Sequence, residues 1–122
     1  MDTSYFPELP IEIANPIVSL YLLLDAKKDH CTSVGEQNSI LELQLYLQNI
    51  CHLARTTYST PPIKIENLPM LERLIRKSFS LDRQLEAIAK HYNWPKSTYT
   101  KMVEQMNLIV KALSCENARL SH

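Results

Sequence analysis

Glycine is almost missing from this chain. Gly35 is the only one in 122 residues. A single glycine cannot build a Gly-rich phosphate cradle, a dinucleotide fingerprint or a nucleophile elbow, each of which needs several. It also argues against hairpin-rich β architecture, whose tight turns call for residues that accept positive φ. Cysteine is sparse and odd in number: Cys31, Cys51 and Cys115 do not make a disulfide framework and fit a reducing, cytoplasmic setting. The start, Met1-Asp2-Thr3-Ser4-Tyr5-Phe6-Pro7, has neither the basic nor the apolar region of a signal peptide. The longest apolar run, Ile17 to Leu24, is interrupted by Ser19 and is far too short for a bilayer, so no membrane partner is expected. Net charge is zero, with 13 basic and 13 acidic side chains.

What is present is helical patterning. With 45% hydrophobic and 21% charged residues, the composition is that of an ordinary globular chain, long enough to bury a core without staples. Asn15-Pro16 reads as an N-cap followed by proline at the first helical position, opening a helix to about Lys28. Ile17, Leu20, Tyr21 and Leu24 share one stripe of it, and Val18, Leu22 and Leu23 widen the stripe enough to predict burial on more than one side. A polar connection containing Gly35 leads into a second helix, from about Glu36 to Thr57. Ile40, Leu43, Leu47, Ile50 and Ala54 make its stripe, flanked by Tyr46 and Leu53. Ser59-Thr60-Pro61-Pro62 ends it, because consecutive prolines remove donors and force extended backbone.

Beyond that connector, Asn67 is expected to cap a short helix from Leu68 to Ser78, with Leu71, Leu74 and Ile75 inward. Ser80 is expected to cap another from Leu81 to Tyr92, burying Leu85, Ile88 and Ala89. After a tight turn at Asn93-Trp94, Pro95 opens a last helix to about Cys115. Its stripe comprises Tyr99, Met102, Val103, Met106, Ile109, Val110 and Leu113. No internal repeat, low-complexity stretch or heptad run of coiled-coil length is visible. The expected architecture is therefore all-α: one domain over 1–122, a compact bundle of about five helices. It divides into an N-terminal helical pair (1–60), a proline-containing connector (61–66) and a three-helix part (67–117). Charge follows the same division. Residues 1–66 carry four basic and eight acidic side chains, net −4, and residues 67–122 carry nine and five, net +4. A basic half permits contact with a polyanion.

Leu85 to Val103 holds the one pattern with a functional reading. A small residue, Ala89, is followed four positions later by a turn residue, Asn93, then by an apolar residue, Trp94, with Tyr99 and Met102 placed to pack back on Ile88 and Ala89. This resembles the helix-turn-helix family of DNA-binding motifs over about twenty residues, with Leu68–Ser78 as the supporting helix. Trp94 and Tyr99 are bulkier than the family's usual aliphatics, asparagine replaces its usual turn glycine, and the last helix runs longer than a recognition helix. The resemblance implies that Lys96, Ser97, Thr100 and Lys101 face nucleic acid, with Lys90, Arg83, Arg73, Arg76 and Lys77 supplying flanking phosphate contacts. It further implies a regulatory, dimeric protein acting on two-fold symmetric sites.

Other constellations are bland. His30-Cys31 and Cys51-His52 are adjacent pairs, whereas zinc ligands are usually spaced two to four apart, and neighbours on a helix point about 100° apart. His91 reads as a polar residue at a helix end. Cys115 has no histidine near it in sequence. No Ser/His/Asp set, carboxylate dyad or His-Glu motif occurs, so no enzyme, no metal and no cofactor are expected. The rival to nucleic-acid binding is a helical adaptor, chaperone-like protein or small subunit of a larger assembly, whose apolar stripes hold a protein partner. Leu108 lies off the main stripe of the last helix, where exposure would favour a dimer contact.

Overall fold

The computed structural model describes residues 9–59 and 63–121, and among them there are helices and no strands. Four long helices follow in chain order: α1 (Ile11–Asp29), α2 (Val34–Thr57), α3 (Leu68–His91) and α4 (Lys96–Ser121). A single 3₁₀ turn, Ile65–Asn67, precedes α3. Each helix packs on its sequence neighbours and α4 closes back on α1, which makes an up-down four-helix bundle.

The core explains why four suffice. Buried positions advance in alternate steps of three and four in every helix: Ile13, Ile17, Leu20, Leu24 in α1; Ile40, Leu43, Leu47, Ile50, Ala54, Thr57 in α2; Leu71, Leu74, Ser78, Leu81, Leu85 in α3; Met102, Met106, Ile109, Leu113 in α4. That alternation keeps one seam of each helix turned inward over its length.

It also corrects the expected helix count. The two short helices predicted over Leu68–Ser78 and Leu81–Tyr92 are one helix, because the three-four spacing from Leu71 to Leu85 passes through Ser78 without a break. Neither glycine nor proline lies between Lys77 and Arg83. The serine read as a cap and the serine read as a helix end are both satisfied inside the helix: Ser80 Oγ accepts from Gln84 at 3.2 Å, and Ser78 donates to the Leu74 carbonyl at 2.9 Å.

Other boundaries shift for local reasons. α1 begins at Ile11, not Pro16. The Pro10 carbonyl accepts from Ile13 and Ala14 at 3.0 and 2.9 Å, so Asn15 is no cap and Pro16 sits inside the helix, where it withholds one hydrogen bond. Leu22, expected inside, is 50% exposed. α2 starts earlier than Glu36, capped by Ser33 Oγ accepting from the Glu36 amide at 3.3 Å, so Gly35 lies in its first turn. A Cβ there would stand 3.2 Å from the Tyr92 hydroxyl, a reason for glycine unrelated to turn geometry. Asn67 occupies the position before α3, but its Oδ1 accepts from the Lys64 amide behind it and not from α3. α4 continues past Cys115 to Ser121. The double proline, Pro61-Pro62, and residues 1–8 lie outside the described residues.

One buried amide ties α1 to α2. Gln44, 1% exposed, donates to Asp25 Oδ1 at 3.3 Å and to the Tyr21 carbonyl at 3.5 Å, while its Oε1 accepts from Lys28 at 3.3 Å. The Gln44 amide, and then Lys28, hold the Asp25 carboxyl below its ordinary value.

The continuity of α3 is testable by substitution. Ser80→Pro is expected to cost about 3 kcal/mol or more in urea unfolding, the penalty of proline in a helix interior. Ser78→Ala is expected to stay within about 1 kcal/mol of wild type, because only a back-bonded hydroxyl is removed. A near-neutral Ser80→Pro would mean that a helix boundary lies there after all.

Candidate nucleic-acid interface

The α3–α4 corner is where the sequence pattern meets geometry. Chain reversal after His91 needs one residue in the left-handed region, and Asn93 supplies it with φ 54°, the only non-glycine residue of that kind among those described. The Asn93 amide donates to the Lys90 carbonyl at 3.3 Å and the Trp94 amide to the Ala89 carbonyl at 2.9 Å. Those two bonds are the Schellman pattern that closes a helix C-terminus, normally built on glycine and here on asparagine. Ala89 is small enough to let Trp94 fold over it, and both are buried. The Pro95 carbonyl then accepts from Tyr99 at 3.1 Å and starts α4.

Trp94 is not held by apolar packing alone. Its indole N–H donates to Glu36 Oε2 at 3.2 Å, across 58 residues of sequence. The same oxygen lies 2.8 Å from the Cys31 thiol and 3.5 Å from Lys27 Nζ, and that ammonium stands 5.7 Å from the centre of the indole ring. Glu36 thus joins the α1–α2 connection to the α3–α4 turn. The thiol's hydrogen bond first, then Lys27 and Trp94, favour the carboxylate and outweigh burial, so Glu36 sits below its ordinary value. Burial first, then the adjacent carboxylate, push the Cys31 thiol up to about 11, which keeps it protonated and unreactive. Sequence spacing did not show this bracket. Its only local sign is the Ser33-x-x-Glu36 signature of a helix start, and here the Glu36 side chain is engaged by Cys31, Trp94 and Lys27.

Of the residues named for polyanion contact, Arg73, Arg76, Arg83 and Lys90 on α3 and Lys96, Ser97, Thr100 and Lys101 on the first turns of α4 are exposed, whereas Lys77 is half-buried and faces α2, its ammonium 5.4 Å from the centre of the Tyr46 ring. None of the α4 four is buried against α2, where Leu41 and Leu45 are themselves exposed. A notch of about 360 Å³ opens at the turn, with Glu86 and Lys90 on the α3 side and Lys96 and Tyr99 on the α4 side. The surface is mixed in sign. Lys90 pairs with Glu86 at 2.8 Å, and that hydrogen bond raises its pKa. Burial, then Glu86, raises the Asp82 carboxyl, and burial with both of these carboxylates raises the Tyr99 phenol.

The expected supporting helix is absent as a separate element, since Leu68–Ser78 is the first half of α3. The remaining cysteines and histidines assemble nothing further: among the described residues no group of three metal-ligating side chains occurs. Cys51 is buried beside exposed His52, and Cys115 is exposed on α4. His30 Nδ1 lies 2.7 Å from the Ala26 carbonyl, and His91 stands edge-on to the Tyr92 ring at 4.7 Å. No described helix is long and apolar enough to cross a membrane. No protein-family model matches the chain, and no curated protein or solved structure resembles it at a significant level.

The corner can be probed at Asn93 and at Glu36. Asn93→Ala is expected to cost about 1 kcal/mol and Asn93→Gly to be neutral or stabilising, because only the alanine is strained at positive φ. Glu36 has a folded-state pKa below its unfolded value, so its contribution is present above the ordinary carboxylate range and is lost as pH falls through the folded value. Urea midpoints measured from pH 7 down to pH ~3 are expected to fall in wild type and to fall less in Glu36→Gln. Parallel pH profiles would show that Glu36 carries no such linkage.

Proposed function

We propose that this chain binds nucleic acid, in a regulatory role, through the helix-turn-helix-like corner formed by the end of α3 and the start of α4. The observation that carries the reading is the turn itself. Asn93 holds the left-handed conformation, Ala89 and Trp94 close the corner, and the next two turns of helix present Lys96, Ser97, Thr100 and Lys101 to solvent. A helix N-terminus carries a partial positive charge, and its free amides suit phosphate. Lysine and hydroxyl side chains beside it provide phosphate contacts and short-range donors and acceptors for base edges. Lys90 and Arg83 extend the same face along α3. Glu86 and Glu104 limit its net charge, so affinity for non-specific duplex is expected to be modest and strongly salt-dependent. In such a reading the protein works as a two-fold dimer, with one corner per half-site.

The second reading is a protein-binding helical adaptor. Leu41 and Leu45, one turn apart on α2, are 45 and 56% exposed, which favours a protein partner on the outer side of α2.

Fluorescence anisotropy with a labelled mixed-sequence duplex over a salt series separates the two. The nucleic-acid reading predicts binding that weakens steeply with salt. It also predicts a log–log slope shallower by about 2 in Lys90→Ala/Lys96→Ala, about one unit for each phosphate that a lysine no longer neutralises. Absence of binding at low salt, or a double variant indistinguishable from wild type, would shift the case to the adaptor.

A further inference from the structure

Three of the exposed large apolar side chains, Ile11, Leu22 and Leu108, at 56, 50 and 49%, border the seam between α1 and α4. Two grooves run end to end along that seam. One, of about 790 Å³, lies beside Ile11, Leu108 and Ala112, and the other, of about 370 Å³, lies beside Leu22, Lys101 and Gln105. The charged residues of α4 on this side alternate about Leu108: Lys101 and Glu104 before it, and Lys111, Glu116 and Arg119 after it, Arg119 being held by Glu116 and by the Ile63 carbonyl. At 100° per residue, Glu104 and Lys111 fall on one side of Leu108, and Lys101 and Glu116 fall on the other. Among the described residues no ion pair engages Lys101, Glu104 or Lys111, while Glu116 pairs with Arg119 at 2.7 Å.

We infer that the α1–α4 face docks on a second copy of this chain, with α4 antiparallel to its counterpart and the two-fold axis at Leu108. A two-fold perpendicular to the helices brings like sides together in reversed order. Glu104, four residues before the axis, then comes level with Lys111 of the second copy, three after it. Lys101, seven before, comes level with Glu116, eight after. Each contact occurs twice, and all four join opposite charges. A parallel pairing would set Lys101 on Lys101 and Glu104 on Glu104, so the charge order selects the antiparallel arrangement. Leu108 meets Leu108 at the centre. Because α1 runs opposite to α4, with Ile11 near the Leu108–Ala112 end and Leu22 near the Lys101 end, the same axis brings Ile11 to the level of Leu22 of the second copy. Two packed helices present a face of roughly 30 Å by 20 Å, near the lower bound of about 600 Å² per partner for a stable interface.

The pairing stands without any nucleic acid, and rests on the proposed function only for the meaning of one distance. The two Lys96 residues, each twelve positions from the axis, come to lie about 36 Å apart along the helices at 1.5 Å per residue. That is close to the one-turn spacing of about 34–36 Å between half-sites on B-DNA. Lys101 then serves the pairing, and the polyanion surface keeps Lys96, Ser97, Thr100, Lys90 and Arg83.

Sedimentation equilibrium of the full chain tests this, with far-UV circular dichroism to confirm folding. Wild type is expected to be a dimer. Leu108→Glu, which sets two carboxylates on the axis, is expected to be a folded monomer. Glu104→Lys and Lys111→Glu are each expected to weaken dimerisation roughly tenfold, since each breaks two symmetry-related pairs. Combining them is expected to restore it, because the pairs re-form with signs exchanged. A wild-type monomer, a dimer indifferent to Leu108→Glu, or a double variant no stronger than the singles would each overturn the proposal. Should Leu108→Glu not fold, the charge exchange decides alone. Duplex binding by Lys90→Ala/Lys96→Ala, which leaves this face untouched, reports on the nucleic-acid reading separately.

Discussion

A bundle of four long helices with one glycine has to reverse direction three times, and the reversal between α3 and α4 rests on the indole of Trp94 held by the Glu36 carboxylate. Asn93 gives the backbone its positive φ, but it is Trp94, folded onto Ala89 and hydrogen-bonded to Glu36, that fixes where α4 leaves the turn. The same carboxylate receives the Cys31 thiol and Lys27, so one oxygen sets the α1–α2 connection against the α3–α4 turn at one end of the molecule. Partly buried polar groups of this kind contribute modest net stability when satisfied, and leaving one unpaired costs about 1–3 kcal/mol. The bracket therefore specifies a geometry more than it supplies stability, and that geometry puts the first turns of α4 in solvent.

How much of this was legible follows from the range of each interaction. The inward stripes of α2 and α4 are local, and Ile40, Leu43, Leu47, Ile50 and Ala54, like Met102, Met106, Ile109 and Leu113, are buried as their spacing indicates. Asn93 as a turn residue was also legible, since asparagine tolerates left-handed backbone and the pattern around it breaks there. Ser80 misled because serine is both a common cap and a tolerated interior residue. The three-four spacing across Leu74, Ser78 and Leu81 outweighed the capping signal. Pro16 misled in the same way, as the Pro10 carbonyl had already started α1. Glu36, Trp94, Cys31 and Lys27 could not be assembled from sequence at all, because their proximity exists only once the bundle has closed.

The surface divides into regions of different character. The α3–α4 corner combines a helix N-terminus with lysines and hydroxyls, but it also carries Glu86, which forms an exposed ion pair with Lys90. The α1–α4 seam carries apolar residues between alternating charges, a pattern suited to self-association. Leu41 and Leu45 mark the outer side of α2. Assigning separate roles to the corner and the seam makes Lys101, which borders both, the one residue whose part the two proposals divide.

The most direct measurement is a titration of isotope-labelled protein with a short duplex, followed by amide chemical shifts at low and moderate salt. The account predicts shifts concentrated at the end of α3 and the start of α4, around Lys90, Asn93, Lys96, Ser97 and Thr100, that diminish as salt is raised. Shifts gathered instead around Leu41 and Leu45, or none anywhere at low salt, would contradict a nucleic-acid role for the corner.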